Sequence, residues 1–175
     1  RSAIHLEMGP AEAGRVHRVA GGALGELGLD HQRLLDAQAE GAREAKLRPD
    51  PSVVVGDGLD PASKMGPLAN PRRITAMESI IMDAQEKGAK VATGGKRIGN
   101  QGNFFEPTVL TDVPANAKIM TQEPFGPVAP IVRFKTFDEV VERANSLPFG
   151  LAAYAFTTNT QTATMIGDAI QSGMV

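Results

Sequence analysis

Apolar residues recur with two alternating periods along the later two-thirds of the chain. Ile74, Met77, Ile80, Ile81 and Ala84 fall at helical spacing. Asn70 followed by Pro71 is a start signal for that helix, and Gly88 ends it. Lys90 to Thr93 reads as a strand running into Gly94-Gly95, and Phe104 to Leu110 as an extended segment interrupted by Pro107. Val128 to Phe134 is a strand. Thr136 and Glu139 then form a capping box for a helix that buries Phe137, Val140, Val141 and Ala144. Leu151 to Phe156 is the next strand, and Thr158 or Asn159 caps a last helix carrying Ala163, Ile166 and Ile170, closed by Gly173. Val53-Val54-Val55 is a short strand candidate, and Val175 would begin another. Strands alternating with helices predict an α/β fold, a parallel sheet flanked by helices.

The earlier part has a different texture. Residues 10–50 are rich in Ala, Gly, Arg and Glu, and Asp30 can cap a helix from about His31 to Leu47 with Leu34, Leu35, Gln38, Ala42 and Ala45 on one side. Pro49-Asp50-Pro51 punctuates the boundary. The expected organisation is therefore residues 1–9 as a short separate motif, 10–50 as a partly helical segment, and 51–175 as the main domain.

Composition narrows the function. The 175 residues are 42% hydrophobic and 22% charged with a formal net charge of -2, which suits one globular domain and argues against a nucleic-acid surface. The longest mostly apolar stretch, Gly150 to Phe156, is far short of a bilayer span, so no membrane association is expected. No secretory signal is visible and no initiator Met is present; the expected compartment is the cytoplasm. There are no cysteines, so the chain supplies no thiolate nucleophile and no Cys metal site. His5, His17 and His31 are too dispersed for a local ligand motif, and no metal is expected. Gly21 to Gly28 is glycine-rich but lacks the dinucleotide-binding spacing. Arg72-Arg73 could meet an anion or be solvated surface.

The most distinctive stretch is Gln122-Glu123-Pro124-Phe125-Gly126-Pro127-Val128. Two prolines stiffen a loop entering a strand and present a Glu and a Phe with little entropy left to lose. A carboxylate there could accept hydrogens from both hydroxyls of a ribose, with the ring walling a flat heterocycle. On spacing alone the stretch reads rather as a rigid turn with a solvated Glu and a core Phe, since presented carboxylates are more often structural.

Together with Val55 to Pro61, Met65 to Leu68, Gly102 to Leu110 and Ala144 to Leu151, this stretch resembles, in order and separation, the later part of the catalytic domain of the aldehyde dehydrogenase superfamily. The leaning is toward the succinate-semialdehyde dehydrogenase-like branch. The resemblance covers about two-thirds of the chain and implies NAD(P)-dependent oxidation of a small-molecule aldehyde to an acid through a covalent thioester. It implies that Glu123 holds the nicotinamide-side ribose, that Phe125 packs near the nicotinamide, and that Gly126 and Pro127 shape the loop. Asn145 to Leu151 is implied to be a structural turn. Leu6-Glu7-Met8-Gly9 resembles the family's general-base motif, with Glu7 as the base, although Pro10 stands where a second Gly is usual. The family's nucleophilic cysteine belongs near residue 40, where this chain has Ala39-Glu40-Gly41-Ala42. The isolated chain is thus expected to be inactive. NAD and NADP are both open as cofactor, as are a homo-oligomer and association with an intact relative. The competing expectation is a non-catalytic fragment serving as a structural or interaction module.

Overall fold

The structure, a computed structural model, describes residues 2–8, 14–20, 53–148 and 150–175. Its elements are β1 (Ser2–Met8), β2 (Gly14–Ala20), α1 (Pro71–Glu86), β3 (Lys90–Thr93), β4 (Thr108–Thr111), a 3-10 turn (Lys118–Met120), β5 (Val128–Phe134), α2 (Phe137–Ala144), β6 (Ala152–Phe156) and α3 (Thr160–Ala169).

The six strands form a sheet in the order β3-β4-β5-β2-β1-β6. The α/β class and the flanking helices are as expected, but the sheet is mixed rather than parallel throughout. β4–β5 and β1–β6 pair in parallel, whereas β3–β4, β1–β2 and β2–β5 are antiparallel. The physical reason lies in the connections. β3 reaches β4 through residues 94–107 without a helix, and β1 and β2 follow each other within a few residues; such neighbours pair antiparallel, while parallel pairs need a longer crossover.

β2 falls inside the segment 10–50 and joins the main sheet. The helix expected over 31–47 lies outside the described residues. Val53 to Val55 yields only a single bridge, Val55 to Met65, since that segment folds back on its own loop.

β5 changes partner midway. Val128 to Pro130 pair with β4, and Ile131 to Phe134 pair with β2. Pro130 has no N–H to give, and it stands where one ladder ends and the other begins.

All five apolar positions predicted on α1 are buried. They form one core with Phe105, Leu110, Val113, Ile119 and Val128. A second core joins α2 and α3 to the sheet through Val140, Ala144, Ile166 and Ile170 against Phe134 and Ala153. Asn70 occupies the cap position of α1 without a side-chain cap bond, leaving Pro71 to set the first turn. Asn159, not Thr158, caps α3, its side chain accepting from Thr162 N–H at 3.1 Å. Asn145 acts as the structural turn that was expected: its amide donates to Ala169 O at 2.9 Å and accepts from Gln171 N–H at 2.8 Å, fastening α3. No helix among the described residues is long and apolar enough to cross a membrane.

The cap of α2 is bilateral. Thr136 Oγ1 accepts from Glu139 N–H at 3.2 Å, and Glu139 Oε2 accepts from Lys135 N–H at 2.7 Å, one residue earlier than a capping box would place it. The Lys135 N–H bond and then the Arg143 guanidinium hold the Glu139 carboxyl below the usual carboxylate range. A carboxyl with a lowered folded-state pKa stabilises fully above its unfolded value, and that contribution is lost as pH falls through the folded value. Glu139→Gln should therefore be less stable than wild type at neutral pH, with the difference vanishing in acid; urea denaturation at both pH values checks this, and a constant difference would contradict it. Thr136→Ala should cost about 0.5–2 kcal/mol at neutral pH in the same assay.

Candidate functional site

The Pro-bracketed corner is built from both sides. Upstream, the Lys118 carbonyl accepts from Thr121 N–H at 3.0 Å and Gln122 N–H at 2.8 Å, so the 3-10 turn runs on to the residue before Glu123. Downstream, Pro127 C=O accepts from Thr108 N–H at 2.8 Å, and Val128 N–H donates to Gly126 C=O at 2.8 Å. Pro124 and Pro127 are buried. Between them Phe125 adopts φ 42°, in the left-handed region that costs an L-residue roughly 1–2 kcal/mol, and the residue is 54% exposed. The alternative of a core Phe and a solvated Glu is thereby reversed: Phe125 is out in solvent and Glu123 is half-buried.

Gly126 makes this possible. A Cβ at residue 126 would run into Met77 Sδ, stand 3.0 Å from Met77 Cγ and 3.5 Å from Leu68 Cδ2. Met77 is fully buried, so it could give way only by repacking within the core.

Glu123 lines a cleft of about 260 Å³ with Arg73, Ser79, Ile80, Lys118 and Gln122. That is below the roughly 300–1,000 Å³ of a drug-sized pocket, so it would seat one end of a long ligand. A half-buried carboxylate beside an exposed ring on a stiff loop fits a ribose joined to a flat heterocycle. Arg73, on the first turn of α1, faces this cleft, while its neighbour Arg72 is exposed.

Asp83 is a further polar group near the corner that pattern reading passed over. It sits among the buried residues of α1. Its carboxylate accepts from Lys118 backbone N–H at 2.8 Å and from Lys87 Nζ at 2.9 and 3.1 Å. The Lys118 N–H first, then the Lys87 ammonium, hold its carboxyl below the usual Asp range. A signal existed in the sequence: an acid between Ile80 and Ala84 on an apolar face, four residues before Lys87.

A larger cleft of about 780 Å³, lined by Asp112, Pro114, Met120, Arg133, Glu139 and Arg143 among others, contains neither Glu123 nor Phe125.

The structure does not bring Glu7 to the corner. In register Glu7 is level with Arg15 on β2 and hence with Arg133, near the end of β5. The corner enters the other end of β5, about 17 Å away along the strand. His5 and His17 occupy facing positions on β1 and β2, but among the described residues no group of three or more potential ligands could hold a metal ion. Gly21 to Gly28 and Ala39 to Ala42 lie outside the described residues.

Comparison with known proteins identifies the family. A sequence model described as the aldehyde dehydrogenase family matches residues 44–175. The chain is 46% identical over 121 residues to the NADP(+) succinate-semialdehyde dehydrogenase GabD of Escherichia coli, covering 69% of this chain and 25% of that protein. It is 42% identical over 142 residues to glutarate-semialdehyde dehydrogenase of Pseudomonas putida, covering 80% of this chain and 28% of that one. The crystal structure of succinate-semialdehyde dehydrogenase from Burkholderia pseudomallei superposes with a TM-score of 0.72 at 39% identity, over 82% of this chain and 29% of that one. The chain belongs to the aldehyde dehydrogenase family, on its succinate-semialdehyde dehydrogenase-like branch. It spans about a quarter of the length of the curated relatives it matches.

The Gly126–Met77 contact yields a test. Gly126→Ala should destabilise the fold by about 1–3 kcal/mol, as overpacking does. Met77→Ala should cost about 2–5 kcal/mol on its own, and the double variant should cost less than the sum because the deletion makes room for the added methyl. Denaturant unfolding of the four proteins measures the coupling; strict additivity would contradict the contact.

Proposed function

We propose that this chain supplies the nicotinamide-end corner of an NAD(P)-dependent enzyme that oxidises a small aldehyde to a carboxylic acid. The observation that supports it best is Phe125, a large L-residue kept in left-handed backbone with its ring in solvent beside a half-buried Glu123. Strain of that kind persists where the placement of a side chain is used.

In this reading Glu123 accepts hydrogen bonds from the ribose hydroxyls, and the Phe125 ring lies against the edge of the nicotinamide and limits its freedom to turn. Bound there, the dinucleotide supplies the two-electron acceptor for aldehyde oxidation. The corner meets the nicotinamide ribose, which NAD and NADP share, so these residues serve either. Family membership and relatives named for succinate and glutarate semialdehydes support a semialdehyde as substrate of the whole protein.

The family chemistry needs a thiolate, and this chain has no cysteine. The nucleophile would have to come from outside these 175 residues. No step is routed through Glu7, whose strand position is remote from the corner.

Titration calorimetry of the full 175-residue chain with NAD and with NADP tests the assignment. At least one dinucleotide should bind, and Glu123→Gln should weaken it roughly ten- to hundredfold, as expected for hydrogen bonds to a charged group. Phe125→Gly should weaken binding while leaving stability within about 1 kcal/mol of wild type, because glycine relieves the left-handed backbone. The chain alone should not oxidise succinate semialdehyde. Unchanged affinity in both variants, or turnover without a cysteine, would contradict the assignment.

A further inference from the structure

The corner is gripped by α1 at two places. One is apolar, Gly126 against Met77; the other is polar and lies six residues further along the helix, at Asp83, about 9 Å away along its axis. The Asp83 side chain is only 11% exposed, and it spends one oxygen on a backbone group from a different part of the chain: Oδ2 accepts from Lys118 N–H at 2.8 Å. Lys87 completes the fixture, since Nζ bonds both Asp83 oxygens and also donates to Asn116 C=O at 2.8 Å. Lys118 Nζ stands 3.8 Å from Asp83 Oδ1. The path from this fixture to the corner has little slack. The Lys118 carbonyl holds Gln122 N–H at 2.8 Å; Glu123 follows, then buried Pro124 and exposed Phe125.

We propose that Asp83 is the positioning residue of the corner: by holding the Lys118 backbone N–H it sets where Glu123 and Phe125 stand, without touching the cofactor itself. This rests on the reading of the corner as a nicotinamide–ribose site. A charge-assisted bond from a buried carboxylate to a backbone N–H suits the task, being short, directional and shielded from water.

The test follows the amide resonances of Lys118, Gln122 and Phe125 in the full chain, together with NAD and NADP affinity, in wild type, Asp83→Ala, Asp83→Asn and Thr136→Ala. Asp83→Ala should shift all three amides and weaken the dinucleotide at least fivefold. Asp83→Asn keeps an acceptor for Lys118 N–H and should stay within about twofold of wild type. Thr136→Ala, which loosens α2 instead, should leave amides and affinity unchanged. The proposal is overturned if Asp83→Ala moves the Lys118 amide but not that of Phe125, or if Thr136→Ala weakens binding as much. If wild type binds neither dinucleotide, the reading of the site fails, and the amide shifts alone decide the positioning.

Should Asp83→Ala not fold, an acid titration of Glu123→Gln replaces it. With the neighbouring carboxyl removed, the Lys118 and Phe125 amides should move together at one midpoint below the ordinary Asp range, because the Lys118 backbone N–H first, then the Lys87 and Lys118 ammonium groups that face it, hold the Asp83 carboxyl down. Separate midpoints would overturn the proposal.

Discussion

One missing side chain lets the corner before β5 lie against α1. At residue 126 there is no room for a Cβ, because fully buried Met77 occupies the space. Once Gly126 is seated there and Pro127 is bonded to Thr108, the direction of entry into β5 is fixed. The strain then falls on Phe125, which takes left-handed backbone and points its ring outward. A larger residue at 126 would push the loop off the helix and remove the reason for that strain. The exposed Phe125 and the half-buried Glu123 flank this packing contact between a loop and a helix.

The surrounding architecture keeps that constraint rigid. α1 brings its apolar stripe to the core that also holds Val128, the first residue of β5. β5 is held by β4 over its first half and by β2 over its second, with Pro130 at the handover. The corner thus stands at the end of β5 where β4 pairs with it. The second core, between α2, α3 and the sheet, stabilises the far end of β5 through Phe134. A binding corner on such a frame loses little entropy when a ligand arrives, which is how a short loop can contribute usefully to affinity.

Much of this was legible in the residues, and what was missed has identifiable causes. α1 was legible because Ile74, Met77, Ile80, Ile81 and Ala84 repeat at helical spacing between unambiguous start and stop signals. β5 was legible because its apolar run is bracketed by Pro127 and the Thr136 cap. β2 was not: Arg15, His17 and Arg18 interrupt any alternation, and only pairing with β1 and β5 makes the segment a strand. β1 does alternate, with Ile4, Leu6 and Met8 at every second position, but the segment is too short for that alternation alone to define a strand. The pairing sense of the sheet depends on connections that periodicity does not encode. At the site, the Glu and Phe were found through the prolines around them. Which of the two would be buried could not be found that way, because it depends on Gly126 meeting a helix fifty residues earlier in the chain. Asp83 was hidden for the opposite reason: an acid on an otherwise apolar helix face looks like noise until its partner, a backbone N–H from the 3-10 turn, is seen.

The chain is a member of the aldehyde dehydrogenase family without a cysteine, and the proposed function therefore separates two tasks. In the proposed reading, holding the nicotinamide end of a dinucleotide falls to a placed carboxylate, Glu123, and a placed ring, Phe125, on a stiff loop. Attacking the aldehyde needs a thiolate, and none is present. The most direct test of this account is whether the Phe125 ring meets the nicotinamide. Selective labelling of phenylalanine, followed by nuclear Overhauser measurements on the chain with NAD or NADP added, reads that contact. The account predicts cross-peaks between the Phe125 ring protons and the nicotinamide protons; cross-peaks from the nicotinamide to other phenylalanines, with none to Phe125, would contradict it.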